Sequence, residues 1–356
     1  MTLVTFWFLI LTVLWTGFFV LEGFDFGVGM LHGVVGRDEV GRRMAINTIG
    51  PLWDGNEVWL IVAAAGTFAA FPDWYATMFS GFYLVLVALL VALIARGISF
   101  EFRGKGRSDR WRQTWSRLMS GGSLVAPLLI GIALGNLVYG VPINAQHEFT
   151  GSLIDLLHPY PVFVGITFVL LCVLHGATYL AIRTTGDVRA RSAQLARRAA
   201  PGTALAVLVF VCWTHDAAGK NWVPNPVEIV AVLAVAGAAG LIALRREAAA
   251  FAATTVGIAV SVVSIFVDLY PRVMVSRTSS AFDLTIDNSA SGSYSLKVMT
   301  VVASLLLPVV LVYTAWTYYV FRSRISPADV GGPASVPRQR QQDPAEEAAP
   351  VQPPSA

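Results

Sequence analysis

The sequence predicts an all-α integral membrane protein of about nine transmembrane helices, arranged as two four-helix bundles plus one extra helix. Three observations lead there. Of 356 residues, 55% are apolar and only 13% charged, with a mean hydropathy of +0.64, whereas a soluble domain carries about 25% charged residues. The apolar residues fall in long runs, and ~30 Å of hydrocarbon takes roughly 20 residues of helix to cross, because lipid offers no partners to free backbone groups. The polar patches between the runs alternate between basic and nearly neutral.

The first run, 5–30, opens as MTLVTFWFLI without a basic leader and ends in GFDFGVGML, so it reads as a retained span rather than a cleaved signal peptide. Runs at 51–70, 76–98 and 118–139 complete a first bundle within 1–139. Runs at 161–183, 202–215, 227–244 and 249–270 form a second bundle within 140–270, its second member short and entered at Pro201-Gly202. A ninth helix is expected at 296–321, followed over 325–356 by a Pro-, Gln- and Glu-rich cytoplasmic tail without apolar period, expected to be disordered. Cys172 and Cys212 sit inside apolar runs without metal-ligand neighbours and read as packing residues.

Orientation follows from Lys and Arg, which concentrate on the cytoplasmic side of membrane proteins. With nine spans, 21 of the 25 basic residues fall on one side, and only Lys220, Arg272, Arg277 and Lys297 on the other. The N-terminus is therefore expected outside and the C-terminus in the cytoplasm. The net charge of +3 gives no footprint for nucleic acid. The basic stretch 96–117 reads as a cytoplasmic amphipathic connection anchored by Trp111 and Trp115 and touching lipid headgroups. The outer loop 140–160 carries nothing specific.

Ionisable side chains at membrane depth cost roughly 2.5–3.5 kcal/mol each on insertion scales, so each asks for a reason. Glu22 and Asp25 lie at i and i+3 near the end of the first run, and Asp54 and Glu57 repeat that spacing at the start of the second. A hairpin over 31–50 brings these four carboxyl groups to similar depth. Clustered, partly buried carboxyls can take up and pass protons near neutral pH, with Asn47, Trp53 and Asn56 as nearby hydrogen-bonding groups. The bland reading is as concrete: Pro51 at the first helical position, Asp54 and Glu57 as first-turn acids favoured by the helix dipole, and Asp25 paired with Arg42 or Arg43. His175 is the one histidine deep in a run; a hydrogen-bonded packing role fits it better than haem ligation, which needs a porphyrin-sized cavity. Leu21-Glu22-Gly23-Phe24-Asp25 and Leu174-His175-Gly176-Ala177-Thr178 also match as a faint internal repeat between the bundles.

Six segments in order along the chain carry a resemblance: EGFDFGVGML (22–31), GPLWDGNEVWLI (50–61), FSGFYLVL (79–86), GIALGNLVYGVP (131–142), HGATYL (175–180) and LLPVVLVYTAW (306–316). The sequence resembles subunit II of cytochrome bd-type quinol oxidases over all but its tail. That resemblance implies a haem-free subunit of a respiratory terminal oxidase in the bacterial inner membrane. Its haem-bearing partner, subunit I, oxidises quinol and passes electrons through three haems of types b and d to oxygen. The resemblance also implies a share in proton uptake by Asp25 and Asp54, with Glu22 beside them, Glu57 weaker because relatives can carry Gln there, and Trp53, Asn56 and His175 in support. No cofactor is expected on this chain itself, except that some members hold a structural quinone; lipid and small accessory subunits are further expected partners. Two other readings compete. A proton-coupled secondary transporter calls for interrupted helices at matched midplane positions, and a purely structural partner subunit uses its acids as caps and ion pairs.

Overall fold

Apolar runs punctuated by glycine build a stack of long helices. The computed structural model describes residues 2–106, 108–219 and 224–330. Among them are eleven α-helices: α1 (Leu3–Val35), α2 (Glu39–Asn47), α3 (Trp53–Ala70), α4 (Pro72–Gly81), α5 (Tyr83–Phe102), α6 (Asp109–Tyr139), α7 (Pro159–Arg183), α8 (Gly186–Ala217), α9 (Pro226–Ala243), α10 (Glu247–Leu269) and α11 (Ser293–Val320). Eight are long and apolar enough to cross a membrane. The 18-residue α3 lies beside α1 in the place of the remaining expected span, its first turns diluted by Asp54, Asn56 and Glu57.

Several expected boundaries need correction. The run drawn as 76–98 divides at Phe82 into α4 and α5, and α5 continues to Phe102, so Arg96 lies inside a helix and not in a loop. The 96–117 connection shrinks to a short turn, because α6 begins at Asp109 with the Ser108 hydroxyl capping Trp111 N–H at 3.2 Å. Trp111 itself donates to the Phe102 carbonyl across that turn at 2.7 Å. The sixth span is not short. α8 has 32 residues and carries straight through Pro201, and at 1.5 Å per residue it measures about 48 Å. Its basic first turns therefore project beyond the apolar layer, which hid them from a hydropathy reading. Pro51 is not the first helical residue either; α3 starts at Trp53, with Leu52 at its cap. Of the expected disordered tail, residues 325–330 are ordered: Ile325 N–H donates to the Arg183 carbonyl at 2.8 Å, and Pro327–Asp329 form a 3-10 turn. The rest of that tail lies outside the described residues.

α1 is the axis of the molecule, packing on α3, α6, α7 and α10. Its crossing with α7 needs glycine on both sides. A Cβ on Gly27 would sit 2.0 Å from the Cys172 carbonyl oxygen, and one on Gly176 would sit 2.5 Å from the Gly27 backbone. Without a hydrophobic drive between helices in lipid, such close backbone contact supplies the dispersion that holds them. α7 to α10 then pack on one another around this seam. On the other side, α5 packs on α6 and α3 on α1, while α3 and α5 stand apart. α11 touches only α1 and α3 appreciably, and Leu296 is its single buried residue.

The ends opposite the arginine-rich face are covered by a small cap. The 140–158 loop pairs with 271–289 through Val141 N–H to the Val275 carbonyl (3.0 Å) and Arg277 N–H to the Val141 carbonyl (2.9 Å). A two-stranded antiparallel ladder, Arg272–Met274 with Leu284–Thr285, lies within it. At the arginine-rich end, Arg103 grips Glu39 of α2 with two bonds of 2.9 and 2.7 Å.

A buried ionic cluster as candidate functional site

A mid-length stretch of α1 (Glu22 to Phe26), the first turns of α3 and the last third of α5 converge inside the α1–α6 half. Glu22 and Asp25 are both fully buried on α1. Between them and α5 lies Arg96, also fully buried, whose Nη1 is 2.6 Å from Glu22 Oε1 and 3.1 Å from Glu57 Oε2. The Arg96 guanidinium lies over Phe26 (4.9 Å) and Phe100 (5.4 Å), and Trp53 stacks on Phe100 at 4.8 Å. Its Nε and Nη2 have no hydrogen-bonding partner among the described residues. Flat aromatic walls exclude water and favour the cation through their ring faces, and the low-dielectric setting strengthens its attraction for both carboxyls.

Asp25 is held separately. Asn56 of α3 donates its Nδ2–H to Asp25 Oδ2 at 2.7 Å, and Tyr318 of α11 donates its hydroxyl to Asn56 Oδ1 at 2.9 Å. One amide thus ties α1, α3 and α11 together. Neither Arg42 nor Arg43 pairs with Asp25; the Arg42 Nε instead reaches the Gly36 carbonyl at 3.2 Å.

Of the four expected acids, the structure brings Glu22 and Glu57 onto one arginine, with Asp25 a turn from Glu22 and bonded to Asn56. Asp54 stays exposed on the outer face of α3, and Asn47 is exposed at the end of α2. Arg96 and Tyr318 were missed by the sequence reading. Arg96 was counted with the loop charges, although the apolar and small residues that follow it, Gly97 to Phe100, show that the run continues past it. Nothing local marks Tyr318, one of several tyrosines near the end of the last helix.

Glu57 also borders a half-open cavity of about 410 Å³ lined by α1, α3, α4, α5 and α6 with Phe266 of α10, walled by apolar side chains such as Trp15, Leu60, Trp74, Leu89 and Leu134. His175 is in the other half. Its Nδ1 lies 2.7 Å from the Thr254 hydroxyl, and its ring stacks on Phe251 at 4.6 Å with a 1° interplanar angle. The ring is fully buried there, stacked on one face and bonded through Nδ1.

These features define a polytopic α-helical membrane protein with an ionic cluster beside an apolar chamber in one of its halves. The family model for cytochrome bd terminal oxidase subunit II matches residues 3–321, and the chain belongs to that family. It is 43% identical over 324 residues to cytochrome bd ubiquinol oxidase subunit 2 of Bacillus subtilis (strain 168), covering 90% of this chain and 96% of the relative. It is 36% identical over 361 residues to cytochrome bd-I ubiquinol oxidase subunit 2 of Escherichia coli (strain K12), covering 91% and 95%. In fold it matches a chain of the bd oxidase from Geobacillus thermodenitrificans, with a TM-score of 0.71, 18% identity, and 90% and 99% of the two chains covered. The chain is therefore a transmembrane subunit of a respiratory terminal oxidase, and the transporter reading gives way.

Proposed function

We propose that this chain is the haem-free second subunit of a quinol:oxygen oxidoreductase and that its buried cluster takes up protons from the cytoplasm for oxygen reduction in the partner. Haems b and d, quinol oxidation and the oxygen chemistry belong in this reading to subunit I. The observation that carries it is the composition of the cluster: two carboxyl groups, Glu22 and Glu57, share one guanidinium, Arg96, and a third, Asp25, is fully buried one turn from Glu22 with only a neutral amide against it. One cation balances one carboxylate, and uncompensated charge at this depth is expensive. Charge balance is therefore completed by protons, which makes the cluster a proton store with an outlet on each side. Exposed Asp54 and partly exposed Glu57 (22% side-chain exposure) form its entry, and Asp25, Asn56 and Tyr318 lead toward α11.

In the same reading, the N-terminus is outside and the arginine-rich face cytoplasmic. The partner covers α3, α5 and α11, whose outward faces carry large apolar side chains such as Ile61, Tyr83, Val91, Leu305 and Val312. A helix held like α11 along one edge gains its remaining contacts from that partner. The 410 Å³ chamber suits the apolar body of a structural quinone, with Glu57 as its one charged neighbour.

The test is Asp25→Asn and Glu22→Gln in the assembled complex, scored for haem content and oxygen consumption together. Loss of a positioned proton carrier is expected to slow turnover on the order of 10²-fold with haem content unchanged, and Asp54→Asn is expected to do less. Normal turnover in Asp25→Asn with the complex intact would sink the proposal. The 2.6 Å Glu22–Arg96 contact between α1 and α5 favours a second, purely structural reading. Under it, the same variants lower the melting temperature and haem content in step, and turnover per haem stays constant.

A further inference from the structure

A second cavity opens at the arginine-rich end of the α7–α10 half. It has a volume of about 330 Å³, and α7, α8, α9 and α10 all contribute to it. It exists because α8 presents alanine there: Ala193 and Ala196, with Ala190 at the edge, leave room where longer side chains would close the groove. Its rim carries Arg189, Arg197 and Arg245, with Glu247 as the one acid. Glu247 is taken by Arg189 at 3.0 Å, and neither Arg197 nor Arg245 has an acidic partner among the described residues.

Arg245 adds an independent sign. It stands at the C-terminal turn of α9 with φ of 58°, where its N–H bonds the Ile242 carbonyl and the next N–H bonds the Leu241 carbonyl. That closing turn is filled most cheaply by glycine, so an arginine there sits against its backbone preference, and it lines the cavity. The surroundings continue into lipid. Leu244, one residue earlier, is 71% exposed. Leu208, three turns along α8 from Arg197 and on the same face, is exposed in the apolar layer.

We infer that this cavity is a binding site for the phosphate headgroup of an anionic phospholipid, with Arg197 and Arg245 holding the phosphate and the acyl chains lying along Leu244 and Leu208. Two unpaired guanidiniums present the forked donors that match phosphate oxygens. Basic pockets between transmembrane helices at the headgroup level select anionic over zwitterionic lipid. A free inorganic phosphate would use the same donors but gain nothing from the apolar track.

The test uses the purified complex with its partner subunit, stripped of loosely held lipid and returned to nanodiscs of phosphatidylglycerol or phosphatidylcholine. Retained lipid is counted by native mass spectrometry for wild type, Arg197→Gln/Arg245→Gln, Arg197→Lys/Arg245→Lys and Ala193→Leu. Wild type is expected to retain phosphatidylglycerol in preference to phosphatidylcholine. The Gln pair is expected to hold it roughly thirtyfold more weakly, as two surface charges imply. The Lys pair keeps most of the retention, and Ala193→Leu, which leaves the charges but fills the space, loses it. Equal retention of both lipids, an unchanged count in the Gln pair and in Ala193→Leu with the complex assembled, or displacement by millimolar inorganic phosphate would each overturn the assignment.

Discussion

Where α8 and α9 pack side by side, α3 and α5 stand apart, and Glu57 and Arg96 meet across the space between them. The α7–α10 half is filled at membrane depth: His175 is stacked on Phe251 and bonded to Thr254, and Phe168 and Phe210 are buried beside it. The α1–α6 half keeps an apolar chamber and puts its ionisable groups at the edge of it. The faint repeat makes the contrast sharper, because Glu22 and His175 are the matched positions. One half places an acid there and answers it with a buried arginine. The other places a histidine whose Nδ1 meets a hydroxyl and whose ring stacks on Phe251. At the matched positions packing accounts for the second half, which keeps the ionisable groups His215, Glu228 and Asp268, buried or nearly so, near the ends of α8, α9 and α10. The first half carries buried acids at the middle of α1 that packing does not need, and that is the physical ground for locating function there.

The seam between the halves should be the most fragile point. Gly27→Leu forces side-chain atoms into the Cys172 carbonyl, where even a Cβ would sit 2.0 Å away. Backbone cannot give way there, so the expected outcome is no recoverable complex, read as loss of the partner subunit on affinity purification. Gly33→Leu on the same helix has nothing within 4 Å of a new Cβ and should assemble normally.

Next in size is Arg96→Leu. Removing one member of a buried ion pair leaves the other charges uncompensated and typically costs 3–5 kcal/mol. The complex is expected to melt well below wild type, and Glu22→Gln/Glu57→Gln in the same background should restore much of the loss, since the neutralised cluster no longer needs a cation. If Arg96→Leu alone melts as wild type, the cluster is not the strained element that the comparison requires.

How much of this was legible in the sequence depends on the kind of signal. The all-α membrane class and most span positions came from apolar runs, which are read over many residues and tolerate local error. The acids Glu22, Asp25 and Glu57 stood out because an intramembrane carboxyl is rare at any spacing. Arg96 did not stand out, since an arginine near a helix end looks like a snorkelling loop residue until two other helices, α1 and α3, are each seen to hold a carboxyl against it. The full length of α8 was hidden for a related reason: its first turns are basic and its Pro201 reads as a stop, whereas helix continuity is decided by hydrogen bonds that hydropathy does not register. The exposure of Asp54 was also out of reach, because Asp54 and Glu57 share a face to within one turn and only the position of α5 decides which of them is buried.

A filled chamber tests the hollow half directly. Ala133→Trp places an indole into the 410 Å³ space that Ala133 lines on α6. Because the space is already open, the change should cost less than the 1–3 kcal/mol usual for overpacking a full core, leaving assembly intact. Quinone extracted with the purified complex should fall toward the level set by the partner alone. Unchanged quinone content in an assembled variant would remove the chamber from the proposal and leave the ionic cluster standing by itself.

The smallest effect is expected in the filled half, and it gives the comparison its cleanest control. Thr254→Val keeps the volume at α10 and removes the hydroxyl that faces His175 Nδ1 at 2.7 Å. A buried hydrogen bond of this kind contributes about 1 kcal/mol net, more when one partner is left unsatisfied. The complex should therefore melt slightly lower, by an amount that differential scanning calorimetry can measure, and turnover per haem should not change. Asp25→Asn in the other half keeps an oxygen to accept from the Asn56 amide and removes only the titratable group, so it is expected to leave melting nearly unaltered and to slow oxygen consumption. The two variants thus move stability and turnover in opposite proportion. If Thr254→Val slows turnover as much as Asp25→Asn, protons or conformational coupling run through both halves, and the division of labour drawn from their packing does not hold.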